Sequence, residues 1–271
     1  MHLTTQLSDR ELAKVKHHQP PLFEKYPDLR EKVGWLDLGL AEAPVQRLEN
    51  LGHDHLWIKR NDLISDVMGG NKTRRLEFIL AELVRQKKEH VITLGGIGSN
   101  HCLAVAIFCK RLGIRCTLCL FEQPLTYYVR ENLLLYHYYG AELIFAKGIW
   151  SSAYNFYLRL KLKYPGAYFI ESGGSSERGA LGDLNAVLEL EKQISKQNLA
   201  EPGFVFCPTA SNGGIAGLIL GFLLLGWKTT VMGVRTGRSR LGPIELNTTG
   251  TIVKKIKKAS PIFEKEFRID S

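Results

Sequence analysis

The 271-residue chain contains no apolar run long enough to cross a bilayer. Its most hydrophobic stretch, Ile215 to Trp227, is 13 residues long, against the about 20 that a spanning helix needs, and reads as a buried helix. The first residues, MHLTTQLSDRELAKVKHHQPP, lack the apolar run of an export signal. Cysteine is sparse: five residues, an odd number, which argues against a disulfide framework and for a reducing cytoplasm. Cys116 and Cys119 form a CxxC, but RCTLCLF has the character of a buried strand. Residues three apart on a strand point to opposite faces, so the pair reads as core cysteines, with a redox or zinc site as the alternative; no metal site is expected. The glycines follow no collagen-like period, and no longer unit repeats.

The chain also lacks the signatures that would give its positive charge a nucleic-acid meaning. Lys and Arg number 36 against 27 Asp and Glu, a net +9. Only Val253 to Lys258 forms a compact basic cluster, and no helix-turn-helix, zinc-finger or RNP pattern accompanies it. Solvated faces and an anionic small ligand account for the charge instead, and neither nucleic acid nor a membrane is expected as a partner. Hydrophobic residues at 45% and charged residues at 23% are ordinary for a packed protein and exclude a disordered chain.

What is present is a strand–helix rhythm. From residue 88 on, HVITLGG, RCTLCLF, AELIFAK, AYFIE, GFVFCPT and KTTVMGVR read as strands. Between them lie helical stretches at Asn100–Leu112, Thr126–Tyr139, Trp150–Lys163, Ala180–Lys196 and from Ile215. Alternation of this kind argues for βαβ units and parallel sheets, an α/β fold. The first 55 residues are broken by Pro20, Pro21, Pro27 and Pro44 and read as an arm and a short helix leading to the strand LWIKRND. In such folds ligands bind at the carboxyl ends of the strands, so the loops there carry the functional reading.

Four of those loops are rich in Gly, Asn and Ser. In Met68-Gly69-Gly70-Asn71-Lys72-Thr73-Arg74-Arg75, the lysine stands at a helix start, where the dipole disfavours a cation. That position and burial both lower an amine's pKa, as Schiff-base chemistry requires; the bland reading is a solvent-exposed lysine. A P-loop is excluded because the GxxxxGK spacing is absent. Gly95-Gly96-Ile97-Gly98-Ser99-Asn100-His101 lacks the third glycine of a dinucleotide motif, which disfavours a nicotinamide dehydrogenase, and Ser99 or Asn100 fits a helix cap. Ser172 to Ser176 is a third small-residue turn. Thr209-Ala210-Ser211-Asn212-Gly213-Gly214 opens the apolar helix with consecutive small residues, an arrangement that presents free N–H groups to an anion such as phosphate. A reactive lysine, a phosphate cup and a Ser-Asn pair able to hydrogen-bond a ring together suggest pyridoxal 5′-phosphate (PLP).

The stretch IKRNDLISDVMGGNKTRRLEF resembles the KRDDL…GGNKxRKLEF signature of the 1-aminocyclopropane-1-carboxylate deaminase and D-cysteine desulfhydrase family. LGGIGSNHCLAVAIFCKRLG, ESGGSSERGALG and TASNGGIAGL are similar to its further motifs, in order, over about Trp35 to Arg235. The resemblance implies the tryptophan-synthase-β-like fold type II: two α/β domains with mostly parallel open sheets flanked by helices. It places a large PLP-binding domain at 1–85 plus 165–271 and a small domain at 86–164. By the same resemblance, Lys72 carries PLP and shuttles protons at the substrate Cα. Asn100 hydrogen-bonds the ring oxygen, and Ser99, Asn100 and His101 form the substrate side, with Ser99 binding the carboxylate or assisting attack. Arg75 replaces a phosphate-facing lysine, and Ser211, Asn212, Gly213 and Gly214 hold the phosphate.

The activity implied is deamination or carbon–sulfur cleavage of a small amino acid through an external aldimine, giving a 2-oxo acid and ammonia in a cytoplasmic homodimer. Family members also carry a further C-terminal strand, helix and ring-facing tyrosine, whereas here 57 residues follow Gly214 and read as a basic helix and a tail. The alternative expectation is therefore a truncated PLP-binding homologue without turnover.

Overall fold

A computed structural model describes residues 19–53, 55–237, 240–241, 244–245 and 248–264; the expected N-terminal arm lies outside them. The chain forms two compact units. One comprises Asp37–Gly39 and Glu82–Gly173, and the other Gln19–Leu36, Leu40–Ala81 and the chain from Gly174 on. No described helix is long and apolar enough to cross a membrane.

The proline-interrupted beginning forms two short helices, α1 (Pro21–Lys25) and α2 (Leu29–Val33). An antiparallel hairpin follows, β1 (Val45–Arg47) on β2 (Trp57–Lys59), with Val45 opposite Lys59. Helix α3 (Asn71–Arg85) then begins directly after Gly70, whose φ of 101° suits a residue without Cβ. Leu76, Ile79, Leu80 and Leu83 recur at helical spacing along it and are buried.

The unit from Glu82 to Gly173 is a four-stranded parallel sheet. Its strands are β3 (His90–Gly96), β4 (Arg115–Phe121), β5 (Glu142–Ala146) and β6 (Tyr168–Ile170), in the order β5-β4-β3-β6. Helices α4 (Asn100–Arg111) and α5 (Tyr127–Tyr138) connect the first three. A third helix, α6, runs Ile149–Tyr154, passes through a π-helical turn at Asn155–Arg159 and ends with Leu160–Lys163. All seven residues of β3 are buried, as expected of a parallel strand covered on both faces. The CxxC cysteines do point apart. Cys116 meets Cys109 of α4, and Cys119 Sγ lies 3.3 Å from Ser152 Oγ of α6.

The other unit continues with α7 (Glu177–Lys196) and the parallel pair β7 (Phe204–Thr209) and β8 (Thr230–Arg235), joined by α8 (Gly213–Leu225). A two-residue ladder, β9 (Arg240–Leu241) with β10 (Ile244–Glu245), precedes α9 (Thr249–Ala259). Helices α7 and α8 approach so closely that a Cβ at Gly217 would overlap the Ala180 carbonyl, and one at Gly221 would lie 2.7 Å from Val187 Cβ. The basic helix expected of the tail is α9, and it is more than a solvated appendage. Its Ile256 and Ala259, with Phe263 beyond, join Leu22, Phe23, Phe78, Leu184 and Leu220 in one core.

This unit also buries charge. Glu189, 2% exposed, accepts both guanidinium nitrogens of Arg74 (2.8 and 3.0 Å), the ammonium of Lys59 (2.7 Å) and the Ala43 amide (2.8 Å). Each carboxylate oxygen is thus satisfied by more than one donor or by a fork, the condition under which a buried ion group is tolerated. Attraction to Arg74 and Lys59 outweighs burial and holds the Glu189 carboxyl below its ordinary range.

Candidate cofactor site

The Gly69–Gly70 loop is built against the Arg60-Asn61-Asp62 segment. Gly70 N donates to the Asn61 carbonyl (2.6 Å), Arg74 Nε to Asn61 Oδ1 (2.9 Å), and Thr73 Oγ1 to the Met68 carbonyl (2.9 Å). A Cβ at Gly69 would overlap the Asp62 carbonyl, so this glycine is required by a close backbone approach. The loop therefore delivers Lys72 to the first turn of α3 in a defined position. Its ammonium makes no hydrogen bond or ion pair among the described residues. Burial lowers its pKa most and the Arg75 guanidinium lowers it further, against a smaller opposing pull from Asp183, bringing it to about 8. The expected depression is present, and its causes are desolvation and a neighbouring cation.

Arg75 is 2% exposed. Its Nε donates to Asp183 Oδ2 at 2.6 Å, and Nη2 lies 3.5 Å from Oδ1. The same Nη2 occupies the space that a Cβ on Gly214 would take. The guanidinium therefore stands beside the expected phosphate loop with part of its fork committed to a carboxylate from α7. Sequence reasoning missed Asp183, which lies 108 positions away with no motif to mark it.

At the end of β7, Asn212 adopts the left-handed conformation (φ 59°, ψ −1°) and turns the chain into α8. The N–H groups of the first helical turn have no intrahelical acceptor, and Gly213 and Gly214 let Ser175 and Arg75 approach the helix start where a Cβ would stand. A Cβ on Gly213 would come within 2.6 Å of Ser175 Oγ. Ser175 Oγ donates to the Ser211 carbonyl at 2.6 Å, tying the third glycine loop to the fourth. Asn212 Nδ2 donates to Thr251 Oγ1 (2.7 Å), and Lys255 Nζ to the Ser175 carbonyl (2.7 Å). Both partners belong to α9, whose basic sequence gave no sign of this role. Asn212 Oδ1 is buried with no partner among the described residues.

Ser99, Asn100 and His101 belong to the other unit. Ser99 caps α4, its Oγ accepting the Cys102 amide at 3.3 Å, while its carbonyl accepts the Tyr136 hydroxyl at 2.9 Å. Asn132 Nδ2 donates to both Asn100 Oδ1 (3.1 Å) and the Gly98 carbonyl (3.0 Å), which orients the exposed Asn100 side chain. Gln123 Oε1 accepts the Gly98 amide at 3.0 Å. His101 is buried, with Nε2 3.0 Å from Thr93 Oγ1 of β3, and that hydroxyl donates onward to the Ile170 carbonyl. Its ring is thus engaged with the sheet of its own unit.

The donor set suits a phosphorylated aldehyde: an amine poised to lose its proton, a neighbouring buried guanidinium, and the glycine helix start that this guanidinium meets. Among the described residues no His, Cys, Asp or Glu group is arranged to hold a metal ion. The model of the family described as pyridoxal-phosphate dependent enzymes matches residues 36–269. A D-cysteine desulfhydrase of Serratia proteamaculans is 33% identical over 215 residues, 75% of this chain and 64% of that protein. A candidate 1-aminocyclopropane-1-carboxylate deaminase of Thermotoga maritima is 35% identical over 210 residues, 73% of this chain and 65% of that protein. The chain thus spans about 65% of the length of these relatives. A crystal structure described as an ACC deaminase homologue superposes with a TM-score of 0.75 at 27% identity, covering 93% of this chain and 75% of that one. The fold is also that of the Escherichia coli diaminopropionate ammonia lyase, at a TM-score of 0.62 and 14% identity over 80% of this chain and 66% of that one. Parallel sheets flanked by helices, the glycine loops at their strand ends and the match over residues 36–269 together show that the chain belongs to the pyridoxal-phosphate dependent enzymes, fold type II.

Proposed function

We propose that this chain removes ammonia from a small amino acid in the manner of a D-cysteine desulfhydrase or a 1-aminocyclopropane-1-carboxylate deaminase. The observation that carries the reading is the Lys72 amine, brought to about 8 beside Arg75 and the Gly213–Gly214 helix start. The unit from Gly174 on, with residues 40–81, is the cofactor domain, and Glu82–Gly173 is the substrate domain. When bound, PLP supplies the electron sink for a carbanion at the substrate Cα.

Lys72 Nζ attaches the cofactor and, once released, holds and returns the proton at Cα. Gly213 and Gly214 with Ser211 and Asn212 receive the phosphate through backbone N–H groups, and Arg75 supplies fixed positive charge behind them. Asn100 orients the ring through its amide, held by Asn132. Ser99 offers its hydroxyl to the substrate, and we assign His101 to shaping that pocket through α4 rather than to direct contact, since its ring is bonded to Thr93. Loss of a β-thiol, or opening of a strained ring, followed by hydrolysis yields a 2-oxo acid and ammonia. A homodimer rests on family resemblance, and light scattering tests it. A cytoplasmic site is supported by the cysteines, all free and four of five buried.

The test is an absorption spectrum of the chain with added PLP, followed by borohydride reduction and peptide mapping. A visible band and a reduced adduct on Lys72 are expected; a folded chain with neither would overturn the reading. Release of sulfide and pyruvate from D-cysteine, against 2-oxobutyrate from aminocyclopropane carboxylate, then separates the two substrates.

A further inference from the structure

The Gly95–His101 loop lies at the carboxyl end of β3, but the amino end of the same sheet carries a second polar cluster. His90 opens β3, Arg115 opens β4 and Glu142 opens β5, and the parallel register sets His90 beside Arg115 and Thr117 beside Glu142. Arg115 Nη2 donates to His90 Nδ1 at 2.6 Å, which leaves the ring proton on Nε2 for Thr117 Oγ1 at 2.8 Å. Thr117 in turn donates to Glu142 at 2.8 Å. Tyr164 stands edge-on to the His90 ring at 4.9 Å. The Arg115 guanidinium (5.1 Å) and the Lys163 ammonium (4.8 Å) both lie over the tyrosine ring.

His90, Arg115, Lys163 and Tyr164 line a cavity of about 470 Å³ together with Lys87 and Lys88, and the lining holds one carboxylate, Glu89. Four cations therefore surround it: Lys87, Lys88, Arg115 and Lys163. None of the four makes an ion pair with a carboxylate among the described residues. Arg115 is held in place by a neutral acceptor and an aromatic face, and its Nε and Nη1 hydrogens make no hydrogen bond within the described chain. A guanidinium fixed in this way has lost its side-chain freedom before any ligand arrives. With one Nη2 hydrogen on His90, the other Nη2 hydrogen still forms a planar fork with Nε or Nη1 that matches two oxygens of a phosphate, and lysines supply point charge to the third.

We propose that this cavity is a second anion site, which binds a small molecule through a phosphate group. It lies about 20 Å from the Ser99 loop along the seven residues of β3, and it does not rest on the cofactor assignment. The sources of that chemistry are free phosphate or a phosphomonoester.

The test is calorimetric titration of the full chain in the presence of saturating PLP, so that glycine loops able to take the cofactor are filled, with the Arg115 and Lys163 variants separating this cavity from those loops in either case. Inorganic phosphate, AMP, malonate and a short single-stranded RNA serve as probes. Phosphate or AMP is expected to bind with a dissociation constant of about 1 mM or tighter, and malonate more weakly. Arg115→Gln is expected to weaken that binding about tenfold, the loss of a bidentate charged contact. Lys163→Gln, at an exposed position, is expected to weaken it about threefold and keeps the proposal testable where Arg115→Gln disturbs His90. AMP binding more tightly than phosphate assigns a phosphomonoester, and equal affinity assigns free phosphate. The proposal is overturned by no binding of either probe, by unchanged affinity in both variants, or by RNA binding more tightly with steep salt dependence.

Discussion

The two units solve the same packing problem with different materials. In Glu82–Gly173 the sheet is the core: β3 is buried throughout and β4 over its central five residues, and Ile92, Leu94, Cys119, Phe156 and Leu160 pack as one apolar cluster. Toward its centre, buried polar groups are held by neutral partners, as His101 is by Thr93 and Cys119 by Ser152, and charged partners such as Arg115 on His90 stand at its rim. In the other unit the two-stranded β7–β8 sheet leaves Phe204, Phe206 and Val234 exposed by 64%, 66% and 53%. Order there comes from helices brought together at glycines, and from carboxylates that gather cations across elements. Glu189 joins β2, α3 and α7, and Asp183 holds Arg75 of α3 from α7. An apolar sheet needs only the right pattern, whereas a charged junction needs every partner in place. The charged unit is also the one that holds Lys72, and the field of Arg75 that keeps its cup positive also depresses the amine.

The largest expected effect falls on that amine. Lys72→Ala should abolish both the PLP absorption band and the borohydride adduct, with the fold retained in circular dichroism. In the unsubstituted chain, attachment of PLP should accelerate with pH and level off above about 8, as the neutral amine becomes the dominant form. The sign for stability follows from linkage. Between about 8 and the ordinary lysine value of 10.5 the unfolded chain binds the proton that the folded chain has released. This group therefore makes the unliganded protein more stable as pH rises through that window, which urea titrations at successive pH values check.

Next in size is Glu189→Ala, which strands Lys59 and Arg74 and should cost about 3–5 kcal/mol in urea unfolding. If the loss is small, charge does not organise that unit and the contrast fails. Gly217→Val forces apart α7 and α8 and should cost about 1–3 kcal/mol by the same measurement. The smallest effect belongs to the apolar unit. Ile92→Val, with a neutral surrounding that relaxes locally, should cost about 0.5–1.5 kcal/mol. A larger loss there than at Gly217 would reverse the ranking of the two units.

Much of this was legible along the chain. Strands at His90, Arg115, Glu142, Tyr168, Phe204 and Thr230 follow from short apolar runs between helical stretches, and the CxxC cysteines point apart because strand geometry allows nothing else. Lys72, Arg75 and the Ser211–Gly214 loop stand in one unit. His101 was not legible. Its place at a helix start gives no sign that its ring turns to Thr93 and the sheet. Nor were Thr251 and Lys255, because a basic amphipathic helix carries no mark of what its polar face will meet.

The sequence by itself determined the α/β order, the glycine loops at strand ends and the lysine at a helix start, since periodicity, turn chemistry and helix termini depend on neighbours within a few residues. Only the tertiary structure decided which charges meet. Arg75 with Asp183, Arg74 with Glu189, Asn212 with Thr251 and Arg115 with His90 join residues 25 to 115 positions apart. Such pairs form only after sheet register and helix packing bring the elements together. Buried charge is then tolerated solely where that packing supplies a partner, so the folded chain selects them and the linear pattern does not.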